Sequence, residues 1–388
     1  MSLSDVSPAL SALLHLSHIL PIFLAPHTKV EESFSTQAIH DVLVWGSDAF
    51  LASNASIRQD ALRRFDHLKF PGAVPRSFLP PAVFAAIAAP VLFALRLAGV
   101  VRDSFEAQTV LRILLAELHL WSVRHLYSAL ASSLAHTGAA QLKAPNIKSA
   151  SKKSSADAVL SWSQASHLRN GSLIIHCLLF HANFWAGRFT PNGLAAPAVH
   201  IALASLLSAQ PSWWALSLFG ALCAVSRAEL AGILISILPV LWMRMGTRKV
   251  LLASSVSISF LLVAVLLDTY LWDRAFVTIE AGKGLLWAEL EAVLFNVVEG
   301  KSSDWGVSPW HYYVTRFLPR LLTGAIPLLA IGSYRILALT KARIGLSRET
   351  GLLASTIMAL PKRNRRPIPD TSLTKQLDVG LRQERKSE

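Results

Sequence analysis

The chain has 388 residues, 53% of them hydrophobic and only 16% charged, against the ~25% charged that soluble domains carry; this excludes an ordinary soluble globular protein. The formal net charge is +13, yet residues 341–388 alone hold 11 Lys or Arg against 5 Asp or Glu. Nearly half of the excess is therefore a tail, and basic residues beside membrane spans set topology and meet anionic lipid rather than mark a nucleic-acid partner.

Apolar runs in chain order predict an all-α, polytopic membrane protein, with spans near 8–25, 78–97, 107–136 (as one segment or two broken ones), 171–187, 191–208, 212–225, 228–243, 250–271 and 316–338. The first run follows no positive n-region or clear cleavage site, so it is expected to be a retained span. Residues 189–226 form an uncharged stretch of 38, which as one helix would reach roughly 57 Å, almost twice a hydrocarbon core. It must be a hairpin, with its break placed at Gln210-Pro211-Ser212. Two long amphipathic loops, 26–77 and 272–315, and a Lys/Ser/Ala-rich linker, 138–165, separate the spans. Residues 1–340 are expected to form one membrane domain, and 341–388 a disordered cytosolic tail. The basic clusters Lys143/Lys148/Lys152/Lys153, Arg244/Arg248/Lys249 and Lys362/Arg363/Arg365/Arg366 predict cytosolic segments, which puts both long loops on the opposite face. Cys177 and Cys223 lie in apolar stretches and form no CxxC motif.

The first loop opens with His27-Thr28-Lys29-Val30-Glu31-Glu32-Ser33-Phe34. Adjacent carboxylates at a membrane boundary repel each other in a lowered dielectric, a setting that suits one of them to general-base work; the competing reading is that they cap the following helix. The loop closes with Phe70-Pro71-Gly72-Ala73-Val74-Pro75-Arg76, where Arg76 can offer a bidentate fork to a phosphate or can simply snorkel to the interface. The second loop carries Trp287-Ala288-Glu289, Lys301-Ser302-Ser303-Asp304-Trp305-Gly306 and Pro309-Trp310-His311-Tyr312-Tyr313, the rings and polar groups of a sugar-binding surface or of an aromatic belt. Arg188, Arg227 and Glu229 flank uncharged spans and need partners; two residues apart on a helix, Arg227 and Glu229 would not face each other. His176, His181 and His200 are expected to be packing histidines. No HExxH, GxGxxG, Walker A or GxSxG motif is present, so zincin, nucleotide-binding and serine-hydrolase chemistry lack support.

Taken together, Thr28 to Phe34, Gln37-Ala38-Ile39-His40-Asp41, Phe65-Asp66-His67 and Phe70 to Arg76 resemble the opening of glycosyltransferase family 22. Arg188-Phe189-Thr190-Pro191-Asn192, Arg227-Ala228-Glu229-Leu230 and the stretch from Asn296 to Leu318-Pro319-Arg320 agree with the family in order. Within it the chain is most similar to the dolichyl-phosphate-mannose-dependent α-1,6-mannosyltransferases of N-glycan assembly. The resemblance implies a GT-C type membrane enzyme of the endoplasmic reticulum with a lumenal site, inverting at the anomeric carbon. It implies two substrates, dolichyl phosphate mannose and a dolichol-pyrophosphate-linked oligosaccharide, with no cofactor, metal or nucleic acid. It points to Glu31 as base with Glu32 orienting substrate, to Arg76 and His67 at the donor phosphate, and to Asp304, Trp310, His311 and Glu289 at the acceptor. Arg188, Arg227 and Glu229 are then structural polar groups within the membrane. The family's Trp-Pro-Glu stands here as Trp287-Ala288-Glu289, and its later His-Lys-Glu signature is not found in this chain. An inactive or shortened homologue, and a family member of glycosylphosphatidylinositol assembly, are the alternatives.

Overall fold

The computed structural model describes residues 6–142, 162–208, 210–274, 284–301, 303, 306–322 and 326–334. Every regular element among them is helical. In chain order these are α1 (Pro8–Leu24), α2 (Ser33–Leu51), α3 (Ala55–Arg63), α4 (Asp66–Lys69), α5 (Leu79–Leu97) and α6 (Ser104–Leu142). There follow α7 (Trp162–Leu178), α8 (Phe180–Ala186), α9 (Pro191–Leu206), α10 (Trp213–Val225), α11 (Leu230–Met245), α12 (Thr247–Leu271), α13 (Ala288–Val293) and α14 (Leu318–Leu322). All belong to one compact unit, residues 1–323; the described part of the second unit, 324–388, is a short helix, Ile326–Tyr334.

The 38-residue stretch is the hairpin its length demands: α9 ends at Leu206, and α10 begins at Trp213 after the predicted break. Residues 107–136 are not interrupted, because α6 runs as one helix of 39 residues through Arg112, Glu117, His119 and Arg124. Of the linker 138–165, residues 143–161 lie outside the described residues, and the described ends are helical. Among the described residues two helices, α5 and α12, are long and apolar enough to cross a membrane alone, while α1, α10 and α11 are apolar but shorter. The stretch 26–77 carries α2, α3 and α4 rather than irregular chain.

α10 packs along α12 and α9, where Phe219, Ala215, Ala202, Leu206, Leu241 and Ala253 share a core. A Cβ on Gly220 would stand 2.5 Å from Ser257 Oγ, and that hydroxyl donates to the Ser217 carbonyl at 2.9 Å. Small residues and a hydroxyl across a close helix contact are how membrane helices adhere, since lipid removes the hydrophobic drive for association. A second core joins α2 and α3 to the end of α12 through Ala38, Leu62, Phe65, Phe78 and Leu271. A third sets Ile39, Phe84, Leu111, Leu115 and Phe189 together, fixing α2, α5 and α6 against the start of α9.

Candidate active site

The site is built on an anchor. Residues 30–32 form one 3-10 turn before α2, and this turn sends the two adjacent glutamates in different directions. Glu32 is fully buried, and its Oε1 accepts from Lys29 N–H (2.8 Å), Arg112 Nη2 (2.8 Å) and Arg188 Nη1 (2.7 Å), while Oε2 accepts from Phe189 N–H (3.1 Å). The two guanidiniums hold the chain before the turn as well: Arg112 donates to the Pro26 carbonyl, and Arg188 to those of Ala25 and His27. One carboxylate thus serves two cations and two backbone donors, the degree of satisfaction that a buried ion cluster requires. The Arg188-Phe189-Thr190-Pro191 motif gains a physical meaning here. Arg188 lies over the Phe184 ring (4.7 Å), and Phe189 is buried against Phe84. Thr190 caps α9 by accepting from Gly193 N–H (3.0 Å), with Pro191 in the first turn, where its missing N–H costs nothing.

Glu31 points the other way, exposed, into a cavity of about 610 Å³ lined by Arg76, Arg227, Tyr127, Trp185 and Asn192 among others. Arg76 and Arg227 also line a second cavity of about 680 Å³, whose wall includes Gln37, Glu229, Glu289 and Asn296. The two arginines therefore stand on the partition between two chambers. Arg76 is carried by the Pro71–Pro75 segment; its carbonyl accepts from Trp272 Nε1 at 3.1 Å. The poorly hydrated surroundings of its guanidinium and the neighbouring Arg227 lower its proton affinity, and Glu289 opposes them. Burial raises the Glu289 carboxyl above the usual carboxylate range, against the Ala228 N–H that donates to Oε2 at 3.0 Å and against Arg227. Trp287 Nε1 donates to the Ala224 carbonyl (2.7 Å), so α13 is docked on the end of α10.

Several expectations change. Arg227 and Glu229 do pair directly, at 2.7 Å, because they lie in the turn between α10 and α11 and not on a helix, where two-residue spacing would separate them. Glu32, expected to orient substrate, lines neither cavity, and its carboxylate holds Arg112, Arg188 and the backbone of the anchor. His67 is buried and lines neither cavity: its Nε2 donates to the Leu271 carbonyl (2.7 Å), and its ring is enclosed by Phe78 and Trp272. That burial holds its pKa below the ordinary histidine value, against the Leu271 hydrogen bond; its Nδ1 is buried without a partner, and the ring is packed away from both cavities. Arg188 is the paired, buried group expected, with Glu32 as its partner. Trp310 and His311 are exposed, edge to face at 5.7 Å, and line neither cavity. Asp304 lies outside the described residues. His176 is not a satisfied packing histidine, since its buried Nε2 has no hydrogen-bond partner.

Sequence reasoning missed Arg112, although a lone arginine in the run Leu111 to Leu115 is the kind of costly charge that announces a buried partner. It also missed Asp268, whose Oδ1 accepts from Phe78 N–H (2.7 Å) and ties α12 to the segment that carries Arg76.

A family model described as the Alg9-like mannosyltransferase family matches residues 60–360. A Schizosaccharomyces pombe protein named probable Dol-P-Man:Man(7)GlcNAc(2)-PP-Dol alpha-1,6-mannosyltransferase is 32% identical over 312 residues, 79% of this chain and 45% of its own length. The Drosophila melanogaster protein of the same name, without "probable", is 32% identical over 79% of this chain and 38% of its own length. An Aspergillus fumigatus GPI mannosyltransferase 3 is 41% identical over 49 residues, 13% of this chain and 6% of its own. The chain spans less than half the length of the first two relatives. No solved structure matches. With a family match over residues 60–360, most of its length, the chain belongs to the Alg9-like mannosyltransferase family.

Proposed function

We propose that this chain transfers mannose from dolichyl phosphate mannose to a dolichol-pyrophosphate-linked oligosaccharide, forming an α-1,6 linkage at the lumenal face of the endoplasmic-reticulum membrane. The observation that carries the reading is the placement of Glu31, Arg76 and Arg227 on one cavity, with the two arginines shared by the chamber next to it. The apolar wall of the Glu31 cavity, with Val123, Leu126, Tyr127 and Trp185, suits the first isoprene units of a lipid donor. The Glu229, Glu289, Gln37 and Asn296 groups of the other suit acceptor hydroxyls.

In this arrangement Glu31 takes the proton of the acceptor hydroxyl as its oxygen bonds to the anomeric carbon of mannose. The bond from that carbon to the phosphate oxygen breaks, and its electron pair leaves with dolichyl phosphate. A single displacement inverts the β-linked donor to an α product, so one base suffices and no acid is needed for a phosphate leaving group. Arg76 and Arg227 neutralise the departing charge, the electrostatic part of the catalysis. Glu289 positions the turn that carries Arg227 and faces the acceptor.

Expression of this chain in cells lacking the α-1,6-mannosyltransferase, with lipid-linked oligosaccharides read by mass, tests the reading. Extension past seven mannoses by the wild-type chain but not by Glu31→Gln supports it. Persistent accumulation at seven mannoses with the protein verified as membrane-inserted overturns it. The short match to the GPI mannosyltransferase is addressed by the same cells, since a GPI-type product would appear in the glycolipid and not in the oligosaccharide fraction.

A further inference from the structure

A buried imidazole cluster lies beside the Glu31 cavity and has no part in the reaction above. His18 on α1, His119 on α6 and His176 on α7 come together, and one potential ligand atom from each ring lies within 4.8 Å of those from the other two. All three residues are more than nine-tenths buried. Each also keeps a buried nitrogen without a hydrogen-bond partner: His18 Nε2, His119 Nδ1 and His176 Nε2. Three orphaned ring nitrogens, one on each of three rings whose centroids lie 5.3, 6.0 and 6.4 Å apart, are unusual, because a buried polar atom without a partner costs about 1–3 kcal/mol. The His18 tautomer is set by its surroundings: Nδ1 donates to the Leu14 carbonyl at 3.0 Å, which leaves Nε2 as a bare lone pair. An imidazole with one nitrogen held by a backbone carbonyl and the other free is the arrangement that orients metal-binding histidines.

We propose that His18, His119 and His176 bind one transition-metal dication of the zinc class. Nitrogen-only ligands select such an ion over magnesium or calcium, which require oxygen. Zinc–nitrogen bonds of about 2.0–2.1 Å require the rings to close by on the order of an ångström from their present spacing, after which three corners of a tetrahedron are filled. His119 and His176 also line the Glu31 cavity, so the fourth corner opens on that side to water or to His200, whose ring centroid is 5.0 Å from that of His119. The nearest carboxylate of the same helices, Glu117, meets His15 Nδ1 at 2.8 Å and supplies opposite charge about one turn from the cluster. The ion fastens α1 to α6 and α7, three helices far apart in sequence, and so stiffens one wall of the cavity. This assignment stands independently of the transferase reading.

The test uses the full chain, purified in detergent through a tag without histidines, exposed to zinc, dialysed and assayed for metal by mass spectrometry. Wild type should retain about one equivalent of zinc. The His119→Gln/His176→Gln double variant should lose it or bind at least tenfold more weakly, while His181→Gln, on the same cavity but outside the cluster, keeps it. Absence of stoichiometric zinc in wild type, or equal retention by the double variant, overturns the proposal. If the double variant cannot be purified, cobalt decides on wild type alone: tetrahedral d–d absorption supports the site, and an octahedral spectrum or no spectrum overturns it.

Discussion

The two long amphipathic segments, 26–77 and 272–315, look alike in composition, both rich in aromatic rings and charges, yet the structure treats them differently. The first is folded into three helices, and two of its carboxylates are spent on internal contacts: Glu32 on Arg112 and Arg188, Asp41 on the Asp66 N–H at 2.9 Å. The second docks through Trp287 and Glu289, while Trp310 and His311 stand exposed. The difference teaches that a polar residue near a membrane surface acquires its role from distant partners, and that two neighbours such as Glu31 and Glu32 can part company within one turn.

The largest break in this contrast comes from Glu32→Ala. It strands two buried guanidiniums, and removing one partner of a buried ion cluster costs about 3–5 kcal/mol, enough to lose most folded protein in detergent thermal melts. Glu31→Gln should do the reverse: melting unchanged, mannose transfer reduced on the order of 10²–10⁴-fold in an assay with purified donor and acceptor. Loss of activity with loss of folding in both variants would dissolve the distinction between them. Next comes Arg76→Ala. On the proposed reading this removes a charge-assisted bond to the donor phosphate, worth about 1.5–3 kcal/mol, so kcat/KM for dolichyl phosphate mannose should fall roughly 10- to 150-fold.

A smaller effect belongs to His67. Burial keeps its folded pKa below the unfolded value, so its neutral form stabilises the fold above an unfolded pKa of about 6.5, and this contribution is lost as pH falls through the folded value. Melting temperature should therefore decline from pH 7 towards pH 5, with a shallower slope in His67→Gln and no change in donor KM at neutral pH. The smallest effect is that of Trp310→Ala. At 88% exposure its removal should shift stability by no more than about 0.5 kcal/mol, and a large loss of acceptor binding would show that the second segment reaches the sugar after all.

The helical hairpin of 189–226 was legible because length against bilayer thickness leaves no other solution, and the Pro211 region supplies the break. α6 was harder to read. Arg112, Glu117 and Arg124 interrupt its hydropathy, and only the fold shows that Glu32 answers Arg112 from 80 residues away. The same limit applies to the candidate site. Arg76 was readable as a fork at a rigid Pro-Gly segment, and Arg188 as a charge needing a partner. Arg227 with Glu229 was misread because local spacing speaks only for a helix, and the chain turns there. His67 sits in a segment of the right kind, but nothing local reveals that Phe78 and Trp272 close over it.

The anchor also has a history in time. Arg188 lies 156 residues beyond Glu32, and at a synthesis rate of about 5–20 residues per second the carboxylate waits on the order of ten to thirty seconds for its second guanidinium. During that interval the carboxylate has, of its two native guanidinium partners, at most Arg112 to meet. Assembly thus has an order written into its chemistry: a nascent chain halted between residues 112 and 188 can give Glu32 only one of the two guanidiniums of its anchor.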